Sequence, residues 1–236
     1  MPKFERTHPL LASHLLWPLL LLSVAGVTLE MAGIDLLVAD RIYLWSGGAW
    51  SLRDAWITSE LIHSGGRTLV GVLTLVLLLL FAGSWLLPAW HKYRRALSYL
   101  LIATLTAGLL INVLKQLSHV DCPWDLLRYG GNNPYASLYD LDTWSQRQGG
   151  CFPAGHASAG YAWFGLYYLA RQFRPHWQLL VLCGVILAGL VFGLGQQLRG
   201  AHFVSHDLWT AGLCWLVATG FYLLFIPEPA KLLRSG

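Results

Sequence analysis

The sequence predicts an all-α integral membrane protein: a bundle of six transmembrane helices, with amphipathic helices and a long loop on its outer face. Three observations predict it. Apolar residues make up 56% of the 236 residues and charged residues only 12%, against roughly 25% charged in soluble domains. Several uncharged runs are long enough to cross a hydrocarbon core about 30 Å thick, which takes roughly 20 helical residues. The basic residues are sorted along the chain, as membrane sidedness requires. A mean hydropathy of +0.51 agrees. With 16 basic and 12 acidic residues, the chain has too few charges to cover a soluble domain of this size. Its net charge of +4 offers nucleic acid no footing as a partner, so the expected surroundings are the bilayer. The whole chain, 1–236, reads as one domain, with its chemistry-bearing motifs in 115–207.

The six expected spans are Leu15–Ala32, Thr68–Leu87, Ala96–Leu114, Gly155–Ala170, Leu179–Leu198 and Leu208–Ile226. The second, third, fifth and sixth contain no Asp, Glu, Lys or Arg. The fourth is short. The first resembles a signal peptide in position, but its apolar run is long and no small-residue cleavage site follows. If six spans alternate, Lys3, Arg6, Lys92, Arg94, Arg95, Arg171, Arg174, Lys231 and Arg234 all fall on one side. That side is then the cytoplasm, with both termini inside. Trp17, Trp85, Trp90, Trp177 and Trp209 fall near span ends, where interfacial aromatics sit.

Three segments remain on the outer side. Gly33–Arg67 mixes Leu36, Trp45, Trp56 and Leu61 with Asp and Arg, and reads as short helices lying on the membrane surface. Gln116–Ala154 carries Pro, Gly and Asn in Tyr129–Tyr135; loops of this length are usually functional. Gly200–His206 is a short turn.

Polar groups gather at the outer helix ends. Lys115 ends the third span, His156 begins the fourth, Arg199 and His202 follow the fifth, and Asp207 precedes the sixth. A single Lys or His there is commonly a snorkelling or capping residue. Five converging ionisable groups at that depth point to a functional site. The set suits phosphoryl transfer. Lys115 and Arg199 supply positive charge for phosphate oxygens, one imidazole can act as a nucleophile, a second can protonate the leaving oxygen, and a carboxylate can orient the first. No metal or other cofactor is then required.

The residues carry a family pattern: Lys115-x6-Cys122-Pro123, then Pro153-Ala154-Gly155-His156, then Gly195-Gln196-x5-His202 followed by Ser205-His206-Asp207. In order and spacing this resembles the type 2 phosphatidic acid phosphatase superfamily of six-span lipid phosphatases, whose motifs are K-x6-R-P, P-S-G-H and S-R-x5-H-x3-D. The resemblance implies His156 as acid, His202 as nucleophile forming a phosphohistidine, and Lys115 with Gly155 as phosphate ligands. Asp207 takes the orienting role if the turn holds one extra residue; otherwise His206 stands in its place. Three phosphate donors of the family are missing, at Cys122, Ala154 and Gln196, and each such loss costs about 10²–10³ in rate. Arg199, one turn after Gln196, reads as the replacement for one arginine. Arg128, in the outer loop, reads either as the replacement for the other or as a solvated loop residue.

Cys122 and Cys151 both lie in the outer loop, where a bacterial periplasm oxidises thiol pairs, and a bridge between them would tether that loop over the site. Cys183 and Cys214 read as core thiols. His63, which also reaches the outer face, reads either as a residue lining the pocket or, on the simpler reading, as a buried, hydrogen-bonded one. His202 and His206, four apart, also have metal-ligand spacing, but a metal would leave Lys115 and Arg199 without a role.

The expected protein is a phosphatase of lipid phosphates in a bacterial cytoplasmic (inner) membrane, with its site on the periplasmic side and its partner a lipid phosphate. Three rivals are a phosphotransferase of the same fold, a haem or redox protein, and a non-catalytic lipid-binding relative.

Overall fold

Backbone polar groups in a hydrocarbon environment must be satisfied within the segment itself, which favours helices. The computed structural model describes residues 10–140 and 149–225. Among these residues it is all-α, with one isolated bridge between Leu126 and Asn133. The flanking charges Lys3, Arg6, Lys231 and Arg234 lie outside the described residues, as does 141–148 of the outer loop.

Helix α1 is Leu11–Met31, opening with a π turn over Leu11–Leu16. The short α2 is Ile34–Trp45. Helix α3 is Ile57–Leu86 and α4 is Arg94–Ser118. Next come α5, Gly155–Tyr161, and α6, Gly165–Phe173, joined by the 3₁₀ turn Ala162–Phe164. Helix α7 is Gln178–Leu198 and α8 is Val204–Phe225. Five segments among the described residues are helices long and apolar enough to cross a membrane: α1, α3, α4 with its flanking turns, α7 with its leading turn, and α8.

The expected fourth span, Gly155–Ala170, is the one outside that set. It forms helix, but broken by the 3₁₀ turn, and its residues are polar and aromatic because it stands in the middle of the bundle. Tyr161, Phe164, Tyr167 and Tyr168 are buried there with Tyr99, Trp215 and Tyr222. Tyr99 donates to the carbonyl of Ala218 at 3.0 Å, and Tyr168 shares a hydrogen bond with Thr219 at 2.5 Å. Glycine sets the spacing to α7. A Cβ on Gly160 would stand 2.2 Å from the nitrogen of Gly189, and one on Gly189 would stand 2.1 Å from the ring of Tyr161. Small residues of this kind let helix backbones approach closely, and here they bring the His156 end of α5 beside α7.

One boundary differs clearly from the sequence reading. Helix α3 begins at Ile57, well before Thr68, so 57–67 belongs to a long helix and is no separate surface segment. The N-terminal part of α3 touches α7, since a Cβ on Gly66 would overlap the ring of Phe192 at 2.3 Å. Its C-terminal end is held by Arg94, which donates to the carbonyl of Ser84 and stacks over Trp85 at 3.8 Å. Trp209, near the start of α8, packs its ring on Gly26 of α1.

The described part of the outer loop is folded onto α2. Leu126, Tyr129 and Phe203 bury Ala39, with Leu36, Tyr43 and Trp50 packed around them. Glu30, at the end of α1, accepts from Ser137 Oγ and from the backbone of Leu138, both at 2.6 Å. Buried Asp35 of α2 accepts from the backbone N–H of Ser205 at 3.0 Å, filling the place of an N-terminal cap for α8. Cys214 is buried as expected, whereas Cys183 faces outward.

Candidate active site

Lys115 lies in the last turn of α4, and Gly155 and His156 open α5, so the two helix ends meet. A Cβ on Gly155 would stand 3.7 Å from Lys115 Nζ. That is an ordinary contact distance, so the ammonium lies beside the first turn of α5. Both residues line the head of a cavity of about 660 Å³ between α3, α4 and α5. Arg67 and Asn112 share this polar end, while Val70, Gly71, Leu105, Gly108 and Trp163 line the remainder. From Lys115 back to Thr104 the cavity follows α4 for about 16 Å at 1.5 Å per residue. A second cavity of about 510 Å³ runs along the other flank of α3, walled by residues such as Leu73, Leu77, Val181 and Ala188. The two share Val70, Ala159, Trp163 and Phe192.

His202 and His206 sit behind this head, 4% and 1% exposed. Their Nδ1 atoms lie 2.7 and 2.8 Å from one atom, the carbonyl oxygen of Cys151. A carbonyl only accepts, so Nδ1 carries the hydrogen in both rings. In the neutral form each Nε2 then holds a lone pair. Burial, and after it the neighbouring His206 and Lys115, hold the pKa of His202 well below the ordinary histidine value, so its ring is neutral at pH 7. Lys115 is close enough to His156, His202 and His206 to act electrostatically on each.

The remaining expected site residues divide. Asp207 is buried, but its Oδ2 accepts from Gln197 Nε2 and its carboxylate packs against Gly193, where a Cβ would stand 2.3 Å from that oxygen. It faces α7, and the Nδ1 that it was expected to orient faces Cys151 instead. Arg199 is half-buried and donates to the carbonyl of Arg53 at 2.7 Å and to Gln196 Oε1 at 3.5 Å. Cys122 and Cys151 are joined, with Cα atoms 5.1 Å apart, and the backbone N–H of Cys151 donates to Val120 at 2.9 Å. Among the described residues no three His, Cys, Asp or Glu side chains converge in a metal-binding arrangement.

Arg128 stands outside the head of the cavity. It is 51% exposed and forks onto Asp40 of α2 with bonds of 2.7 and 2.6 Å, a pairing that the sequence reading did not foresee. Arg128→Ala is expected to change phosphate release by less than about twofold and stability by less than about 1 kcal/mol, as for other exposed ion pairs. A hundredfold loss of turnover would return Arg128 to the site. Arg128 holds the Asp40 carboxyl below its ordinary value of 3.8. The tie is therefore complete above that value and lost as the pH falls through the lowered one.

Two further residues stand at the site. His63, which the sequence left between lining the pocket and being buried and hydrogen-bonded, stacks on His156, ring centroids 4.1 Å apart at 26°. Arg67, four residues further along the same helix, lines the cavity head with Lys115. The signal was that i, i+4 spacing, which places both on one helix face.

A family model described as the PAP2 superfamily matches residues 96–228. No curated protein and no solved structure matches the chain.

Proposed function

The chain belongs to the PAP2 superfamily, whose model takes in more than half of it, and from that premise we propose that it hydrolyses a lipid phosphate through a phosphohistidine on His202. The family supports a phosphatase-type enzyme acting in a membrane. The observation that carries the finer reading is the cavity whose cationic head, Arg67 and Lys115 beside His156, continues into an apolar trough. A phosphate at the head and a hydrocarbon chain along the trough match that division of surface.

In this reading six segments span the bilayer, 155–173 joining the other five as the fourth in chain order, and the site opens on the outer, periplasmic side. Lys115, Arg67 and Arg199 balance the phosphate oxygens, with the Gly155 backbone beside them. His202 Nε2 attacks phosphorus. The bond to the lipid oxygen breaks, and His156 gives that oxygen a proton. Water then attacks the phosphohistidine, His156 takes up the water's proton, and His202 leaves with its lone pair restored. The Cys122–Cys151 bridge closes the outer loop over this set. A phosphotransferase would share every step but the last, with a lipid hydroxyl replacing water.

The test is release of inorganic phosphate across a panel of lipid phosphates, with and without an acceptor lipid. Wild type should release phosphate without acceptor. Release only with transfer to the acceptor favours the phosphotransferase, and none on any lipid ends both readings. The trough gives a separate expectation. Gly108 faces open space in it, and leucine is a better helix former by about 1 kcal/mol. Gly108→Leu should therefore fold and raise KM about tenfold for a long-chain lipid phosphate, with a much smaller effect on a short, soluble ester. Equal effects on both would show that the chain does not lie in the trough.

A further inference from the structure

We propose that the main-chain carbonyl of Cys151 holds the nucleophilic imidazole in register, in the place of a side-chain carboxylate, and that the Cys122–Cys151 bridge keeps the carbonyl there. The inference rests on reading His202 as the nucleophile. Both buried rings point Nδ1 at this one oxygen, at 2.7 and 2.8 Å. A carbonyl has two lone pairs, so the two rings fill its capacity. The arrangement fixes the Nδ1–H tautomer in each ring and leaves Nε2 of His202 with the lone pair that attack requires. The carboxylate nearest in sequence, Asp207, is turned to Gln197 and Gly193.

The carbonyl is itself held from the end of α4. Cys151 is bonded to Cys122, its N–H donates to Val120, and the next residue, Phe152, accepts from Ser118 Oγ. Two of the chain's departures from the family pattern then join into one device. Cys122 stands where the pattern has arginine, and it anchors the residue whose carbonyl orients His202. His206 stands where the pattern has the orienting acid, and its ring completes the same acceptor. Arg67 sits on α3, outside this tether, and Lys115 is carried by the helix α4 that anchors it, so the phosphate-binding cations keep their own supports when the bridge opens. Opening the bridge should lower kcat and spare KM.

The experiment uses the full chain in lipid nanodiscs with ¹⁵N-labelled histidine. It compares the oxidised protein, the same sample after a phosphine reductant with alkylation confirming two free thiols, a sample reduced and then reoxidised, and the double variant Cys122→Ser with Cys151→Ser. Reduction is expected to cut kcat on a lipid phosphate by about 10- to 100-fold, the scale of a misplaced reacting group, with KM within about twofold. Reoxidation should restore the rate. Imidazole ¹⁵N correlations should show Nδ1–H on His202 and His206 in the oxidised protein and loss of that pattern on reduction. Unchanged kcat in the fully reduced protein, or Nε2–H tautomers in the oxidised one, overturns the proposal. If the serine variant fails to fold, reversible reduction of the wild type decides alone. If the oxidised protein releases no phosphate from any lipid phosphate, the reading as a phosphatase fails, while the tautomers still decide what the carbonyl does.

Discussion

Replacing His202 with alanine is expected to lower phosphate release by about 10⁴-fold or more, the scale seen when a member of a covalent catalytic set is removed. The expectation follows from the state of the ring. Its Nδ1–H is committed to Cys151, burial and then its neighbours His206 and Lys115 hold it neutral at pH 7, and Nε2 keeps a lone pair. No other neutral nucleophile in the site has a reason to take over except His206, which has the same tautomer on the same carbonyl. Quenching a labelled substrate in alkaline denaturant, where the acid-labile N–P bond survives, distinguishes the two. Label should accumulate on His202, most visibly in His156→Ala with a substrate whose leaving group needs no proton, such as a nitrophenyl phosphate, because that variant lacks the base that activates water. Label on His206 would move the nucleophile by one helical turn. The low pKa of His202 also gives a direction: the ring stays a nucleophile as the pH falls below the ordinary histidine value, so an acid limb near pH 6 must come from another group.

The second large effect is expected at Lys115. Lys115→Met keeps the length and the apolar stem and removes the charge that lies over Gly155. A preorganised cation facing developing negative charge is worth about 10²–10³ in rate, and kcat/KM should fall by that factor. Arg67→Ala should act in the same direction, because Arg67 lines the same cavity head. Orthovanadate inhibition offers a check independent of turnover, since an anion that mimics the transferring phosphoryl group should bind less tightly to both variants. Unchanged vanadate inhibition in both would place the phosphate elsewhere.

What was legible in the sequence depended on what each segment faces. The fifth span was read as Leu179–Leu198 and is helical over Gln178–Leu198, because much of this helix is an outward-facing apolar surface whose composition alone marks it. Residues 155–173 gave a weak signal for the opposite reason: their tyrosines are satisfied by other helices, so they are not uniformly apolar. The start of α3 was missed because Ile57–Arg67 mixes polar residues needed at the outer end with helix formers. In the site, Lys115, His156 and His202 were legible because motif spacing placed them at helix ends that must converge. Arg128 was left between two readings because nothing in the sequence names Asp40, which lies far from it along the chain, as its partner. The group against His202 was beyond reach of any residue-by-residue reading, since a main-chain carbonyl has no residue type.

Helix α3 is fastened at both ends and flanked along its middle by two apolar cavities that share four residues. A substrate reaching His156 by that route would never leave the bilayer, so its encounter with the protein is two-dimensional diffusion. The relevant concentration is then the mole fraction of substrate among the surrounding lipids. Diluting the substrate with inert lipid at constant bulk amount should slow the reaction, and adding water should not.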